Sequence, residues 1–213
     1  MIRLFCSFDS SIGRHHLEDY VREVRIDVRA LDASGQEVIV GKLAATHVLW
    51  ADAEVDGESL FDICEDDSPE LQEVYRTLTN KKGKIRVDLQ TFEVVDHVVF
   101  LYRIVLHPDL AGYRQGILDS AISLFGEAAL TVMPKDVGDF SESELAELDF
   151  CKIAGEQLIF RHSAFKSRFS EKYPRGMEAD FVGTAEQQAW VERKWENARV
   201  ATESQVFPKG TME

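Results

Sequence analysis

Leu101-Tyr-Arg-Ile-Val-Leu-His-Pro-Asp-Leu-Ala-Gly-Tyr-Arg-Gln-Gly-Ile-Leu-Asp-Ser-Ala-Ile122 is the stretch whose reading decides the fold. Its first six residues continue Val98-Val-Phe, a nearly unbroken apolar run that marks a central strand covered on both faces. Pro108 to Gly112 reads as a turn, and residues 115–125 as a helix with Leu118, Ala121, Ile122 and Phe125 on its apolar side. A helix start approached through Gly112 and Gly116 presents unpaired backbone N–H groups and the positive end of the helix dipole. Such a start suits a pyrophosphate.

Working outward, residues 24–32 alternate apolar and polar, as a half-buried strand does, and Asp32 to Gly35 turn the chain into a second strand over 37–50. Ser59 with Asp62 three residues on, and Ser68 followed by Pro69, open two helices. Leu71, Val74 and Leu78 share one face of the second, and Gly83 ends it. Residues 85–94 and 97–107 read as strands. Ala129 to Met133 reads as a short buried strand. Ser141 and Glu144 cap a helix running to about residue 153, and 157–161 makes a last strand. The order β-β-α-α-β-β-α-β-α-β predicts an α/β (α+β) protein with a mixed, mostly antiparallel sheet and helices on both faces.

Residues 163–183 mix Phe165, Phe169 and Tyr173 with Lys166, Arg168 and Arg175, and nearby acids balance the charge, so they read as a packed connector. Thr184 and Gln187 cap a final helix over about 185–199. Its Trp190 and Trp195 are expected to dock on the sheet or on a second copy of the chain, a possible homodimer. The expected division is 1–162 as the main domain and 163–213 as connector and C-terminal helix.

The chain has 213 residues, 38 acids against 24 Lys and Arg, and a formal charge of −14. Ten of the acids lie between Lys42 and Arg76, and six between Lys135 and Lys152, with no base in either interval. Those sixteen acids exceed the net charge, so the remainder is close to neutral. The balance excludes a nucleic-acid partner, because phosphate backbones demand basic surface. It likewise excludes an anionic membrane surface. Cys6, Cys64 and Cys151 form neither a disulfide framework nor a metal knuckle, so the expected compartment is the reducing cytosol, a cytoplasmic protein. The adjacent His15 and His16 point apart along a helix, and the Asp52-x-Glu54-x-Asp56 run carries Ile63 where a calcium loop needs a bidentate Glu. No metal site is expected.

Leu106-His-Pro108 and the helix after it resemble the GNAT superfamily of acyl-CoA-dependent N-acyltransferases. In that family a strand ending in Val-x-Pro is followed by Arg/Gln-x-x-Gly-x-Gly/Ala opening a helix. Counting from Pro108, Ala111 takes the Arg/Gln place, Arg114 the first Gly place, and Gly116 alone agrees. Phe150-Cys-Lys-Ile-Ala-Gly155 is similar to the family's Phe-Tyr-x-Lys-Leu-Gly-Phe. The resemblance spans residues 37–162. It implies a GNAT-like sheet whose central strand splays from the next near Thr131 to Met133, with acetyl-CoA or another acyl-CoA held by Leu106, Tyr113, Arg114, Gln115 and Gly116. Acyl transfer to an amine needs a base, since an ammonium cannot attack a thioester. Glu93 and Asp96 are the candidate bases. Where the family commonly places a Tyr as acid, this chain has Phe150 or Cys151, and a Cys thiol can donate. The acidic stretches favour a cationic small-molecule or protein amine. The degenerate motif leaves a second implication, a GNAT-fold binding or assembly module without catalysis.

Overall fold

In the computed structural model, which describes residues 1–9, 19–89, 95–126, 128–164, 166–172 and 181–206, the decisive stretch forms the strand–turn–helix unit expected of it. The chain is a mixed α+β protein built on a seven-stranded open sheet. The strands are β1 (Ile2–Asp9), β2 (Val21–Leu31), β3 (Glu37–Val48), β4 (His97–Leu106), β5 (Ala129–Pro134), β6 (Cys151–Lys152) and β7 (Leu158–His162). They lie in the order β1-β2-β3-β4-β5-β7-β6. Every neighbouring pair is antiparallel except β4 and β5. The parallel pair follows from connectivity, because α4 (Arg114–Ser123) carries the chain back between them as a crossover helix.

α1 (Trp50–Asp56), α2 (Leu60–Asp67) and α3 (Pro69–Leu78) fill the long connection from β3 to β4. Ser59 accepts from the Asp62 N–H and Ser68 from the Leu71 N–H, so both expected caps form. These helices and the sheet bury Trp50, Ile63, Leu71, Leu78, Val98, Phe100 and Val132 in one core. The opposite face buries Val24, Ile26, Leu43, Val99, Leu118, Ile122 and Met133 beneath α4 and α5 (Glu142–Glu147). α6 (Arg168–Lys172) is a single turn anchored by buried Phe169.

The last helix, α7 (Ala185–Val206), starts with the expected reciprocal cap between Thr184 and Gln187. It packs on this chain's own sheet. Gln188 Oε1 accepts from the Ile39 N–H at 3.2 Å, and Gln187 donates to Asp109 at 2.7 Å. Trp190 meets the His107 ring edge-on at 5.1 Å, and Arg103 lies over Trp195 at 5.0 Å. Just before α7, Gly183 sits so close to β3 that an added Cβ would fall 2.2 Å from the Val38 side chain.

Three expectations are corrected. Residues 85–89 are not a strand: Ile85 makes one bridge to Thr79, and Val87–Leu89 form a 3-10 turn. Ile85 and Leu89 are both buried, so a tight turn satisfies this apolar spacing as well as a strand would. Residues 90–94, the rest of that expected strand, lie outside the described residues, as do Phe165, Tyr173 and Arg175 of the connector. The helix opened by Ser141 stops at Glu147 rather than near 153. Asp149 takes a left-handed φ of 59°, the Phe150 N–H turns back to Leu145 O, and Cys151 enters the short edge strand β6. Finally, β1 and α1 are additional elements for which the sequence pattern alone made no case. Among the described residues, no helix is long and apolar enough to cross a membrane.

Candidate functional site

β4 and β5 pair over only four positions, from His97 with Ala129 to Phe100 with Val132. Beyond that, β5 keeps its other partner, with Met133 opposite Ile159 and Pro134 opposite Leu158, while β4 runs on to Leu106 paired with β3 alone. The strands therefore diverge after Phe100 and leave one edge of Leu101–Leu106 without a β5 partner. The divergence coincides with a bulge. Leu101 faces Ala45 and Arg103 faces Ala44, so Tyr102 is the extra residue in β4. Bulges raise local twist and re-aim side chains, which accounts for the two strands separating here.

On the α4 side, the turn Val137–Asp139 lies against the part of β4 that β5 has left. Gly138 has φ 79°, and a Cβ there would stand 2.6 Å from the Phe140 ring and 3.2 Å from Ile104 Cβ. Only glycine meets both demands. α4 starts beside this turn. His107 Nδ1 accepts from the Asp109 N–H at 3.3 Å, Tyr113 N donates to Leu110 O, and Tyr113 takes the N-cap place without a side-chain cap bond. No acid lies in the first turn of α4, so no side chain of that turn competes with an anion for the positive end of the dipole.

The side chains of that first turn point to α5. Arg114 grips Glu144 with Nε at 2.6 Å from Oε1 and Nη2 at 2.5 Å from Oε2, and its Nη1 donates to Asp139 O at 3.1 Å. Its guanidinium also lies over Phe140, 5.6 Å from the ring centre. Arg114 first, and then the Ser141 bonds, hold the Glu144 carboxyl down at about 2. Gln115 donates to Glu144 O and to Glu147 Oε2. Tyr113 rests edge-on against Phe181 at 6.0 Å, and Leu106 packs at the margin of the core. The five residues expected to hold a cofactor are thus gathered at one end of β4. What they offer is backbone N–H groups and the dipole, because the cation is already matched by a carboxylate.

The candidate acid and bases lie elsewhere. Cys151 is exposed on β6, opposite Phe160, which is opposite Val132. At about 4.8 Å per strand, this puts it roughly 14 Å from β4. Asp96 precedes β4, where its backbone bonds Ala51 and Ala128. At about 3.3 Å per residue, Asp96 is roughly 17 Å from the divergence at Leu101. Glu93 lies outside the described residues.

Sequence reasoning did not reach the groups that the structure places on the far face of the divergence. Tyr102 Oη donates to Glu23 at 3.4 Å; burial and then the Glu23 charge push its phenol up to about 12. The Asp67 carboxyl at the end of α2 is raised by desolvation, with Glu23 and Glu70 adding to it. No local signal announces this group, because it needs the β2–β3–β4 register and the bulge. A second unanticipated feature is the histidine pair His47 and His97, with ring centres 5.1 Å apart. Both His47 nitrogens, His97 Nδ1 and Thr131 Oγ1 are buried without hydrogen-bond partners. Burial first, then the charge of His97, pulls His47 down to about 4. Among the described residues, no group of three or more His, Cys, Asp or Glu side chains is placed to hold a metal ion.

No family model matches the chain, and no curated protein and no solved structure does so either.

Proposed function

We propose that the chain is an acyl-CoA-dependent N-acyltransferase of GNAT type, acting on a cationic amine. The observation that carries this reading is the parallel β4–β5 pair that opens after Phe100 at a bulge, with helix α4 starting beyond the end of β4. An extended pantetheine chain fits an unpaired strand edge through backbone hydrogen bonds, as an added strand does. The uncapped start of α4 fits a pyrophosphate.

On the other face, Tyr102, Glu23 and Asp67 lie toward the acidic α1–α3 region, which suits a cationic acceptor. In the reaction the amine nitrogen bonds to the thioester carbonyl carbon and the C–S bond breaks. Two protons leave the ammonium, one before attack and one as the amide forms; one of them ends on the departing thiolate and the other passes to solvent. Asp67, whose carboxyl is raised, is a candidate proton acceptor on that face, and Tyr102, whose hydroxyl donates to Glu23, is a candidate donor. Glu93, Asp96 and Cys151 remain candidates from the family resemblance, and loss of turnover in Cys151→Ser with acetyl-CoA binding intact is the expected outcome if Cys151 is the acid.

A second reading, a binding or assembly module without catalysis, is favoured by one observation. Arg114 and Gln115 are already engaged by Glu144 and Glu147, which puts two carboxylates beside the anion site. A thermal-shift titration with acetyl-CoA separates the two. A ligand that binds only the folded state stabilises it by about 2.7 kcal/mol at a hundredfold excess over Kd. The enzyme reading expects a rise of several degrees that Gly116→Tyr abolishes. A flat melting temperature at millimolar acetyl-CoA leaves the module reading standing instead.

A further inference from the structure

We infer that β1 is a self-pairing edge, through which two copies of this chain join their sheets antiparallel about a two-fold axis at Cys6. β1 is an eight-residue strand paired on one side, to β2, without a register shift. Among the described residues, nothing pairs with its other side. The opposite end of the sheet is closed off by β6, which is two residues long. Short strands, prolines, lysines and bulges are the usual means of blunting an edge. β1, Ile-Arg-Leu-Phe-Cys-Ser-Phe-Asp, has none of them.

Its surface is also where apolar exposure collects. Phe5 is 53% exposed and Phe8 52%, and with Met1 they make up half of the six exposed large hydrophobic residues described. Ile2, Leu4 and Cys6 pack against the margin of the α4-side core, so the core itself runs out to this edge.

The sequence of β1 selects a second copy as the occupant and fixes the register. In an antiparallel pair, directly opposite residues share a face, so a two-fold pairing must set even residues against even and odd against odd. Centring on Cys6 puts Leu4 opposite Phe8, Phe5 opposite Ser7, and Arg3 at the position opposite Asp9, a residue of opposite charge. Each of these matches occurs twice. Centring one residue earlier would set Arg3 against Ser7 and lose the charge match. In the Cys6 register, Phe8 of each copy covers Leu4 of the other and the two α4-side cores become continuous. Arg3 stays available, because its ion pair among the described residues, to Glu37 at 3.6 Å, is long and solvent-exposed.

Opposite residues in an antiparallel pair have Cα atoms about 4.5–5.5 Å apart, within the roughly 4.4–6.8 Å span of a disulfide. The two Cys6 side chains are therefore a direct readout of register. The test uses the full chain with Cys64→Ala and Cys151→Ala, so that Cys6 is the sole thiol, and diamide as oxidant. Two thiols lose two hydrogens to the diamide, which becomes the hydrazine, and one S–S bond forms. The expected result is a reducible dimer in high yield, and at least tenfold less when the thiol is moved to Leu4→Cys with Cys6→Ala. Light scattering on the unaltered chain requires no cysteine variant and should report twice the chain mass. Phe8→Asp, on an exposed side chain, should return it to monomer with an unchanged circular dichroism spectrum. The proposal is overturned if the unaltered chain stays monomeric at roughly 100 µM, well above the dissociation constants of stable dimers. A dimer that survives Phe8→Asp, or equal cross-linking from positions 4 and 6, overturns it as well.

Discussion

Helix α4 carries one ion pair at its start and another near its middle, and the two are built differently. In the middle, Asp119 bonds Arg161 of β7 at 2.7 Å and Ser167 at 2.8 Å, and its other oxygen accepts from Ser170. Side-chain exposure is 4% for Arg161 and 11% for Asp119. At its start, Arg114 and Glu144 are exposed by 26% and 20%. The inner pair ties three elements together where water cannot substitute. The outer pair stands where solvent could take the place of either partner and an anion the place of Glu144. One helix thus combines a fixed anchor with an electrostatically adjustable end. The same physics predicts very different costs for cutting each.

Asp119→Ala is the most severe test of that contrast. It leaves a buried guanidinium unpaired and should lower stability by about 3–5 kcal/mol in urea denaturation. A loss no larger than that of Arg114→Ala would erase the distinction. Next comes the acid limb of the stability curve. His47 is neutral in the fold, with a pKa drawn from 6.5 down to about 4, so the unfolded chain binds the extra proton. Stability should therefore fall between pH 6.5 and 4, by about 3 kcal/mol at most. His47→Phe keeps the ring contact to Phe125, 5.5 Å away, and should flatten that window. Glu144 works in the next window. Its pKa falls from 4.5 to about 2 on folding, so the stabilisation it gives above pH 4.5 is lost toward pH 2. An unchanged slope below pH 4.5 in Glu144→Gln would show that the outer pair contributes nothing.

Arg114→Ala should cost about 2 kcal/mol, the scale of hydrogen bonds to charged groups. Smallest is Ser141→Ala, which removes the cap of α5 and should cost about 1 kcal/mol. If it instead matches Arg114→Ala, Ser141 and Arg114 act through Glu144 as one unit, which a double-mutant cycle would show as non-additivity.

How much of this was legible in the sequence follows from the range of the forces involved. Ser59, Ser68, Ser141 and Thr184 cap helices because each hydroxyl accepts from a backbone N–H three residues away, so those starts could be placed correctly. The apolar run Val98–Leu106 likewise specified a central strand, and the α4 start behind it. Residues 85–89 were misread because the spacing of Ile85 and Leu89 suits a strand and a tight turn equally. Only the absence of a free strand beside them decides between the two. The bulge at Tyr102 depends on registry with β3, more than fifty residues earlier, and leaves no local mark. Glu144 shows the limit most clearly. Its role in the capping box was readable three residues from Ser141, while its grip on Arg114, thirty residues away, was not.

The close seat of Gly183 on Val38 and the bond from Ile39 to Gln188 also bear on the order of synthesis. The hydrogen bond joins residues 149 positions apart. At roughly 5–20 residues per second, the β2–β3 hairpin leaves the ribosome about 7–30 s before the segment that covers its end. During that interval Val38 and Ile39 are open to chaperones and to neighbouring nascent chains, so a ribosome-stalling variant truncated before Gly183 should bind a holdase that the finished chain does not.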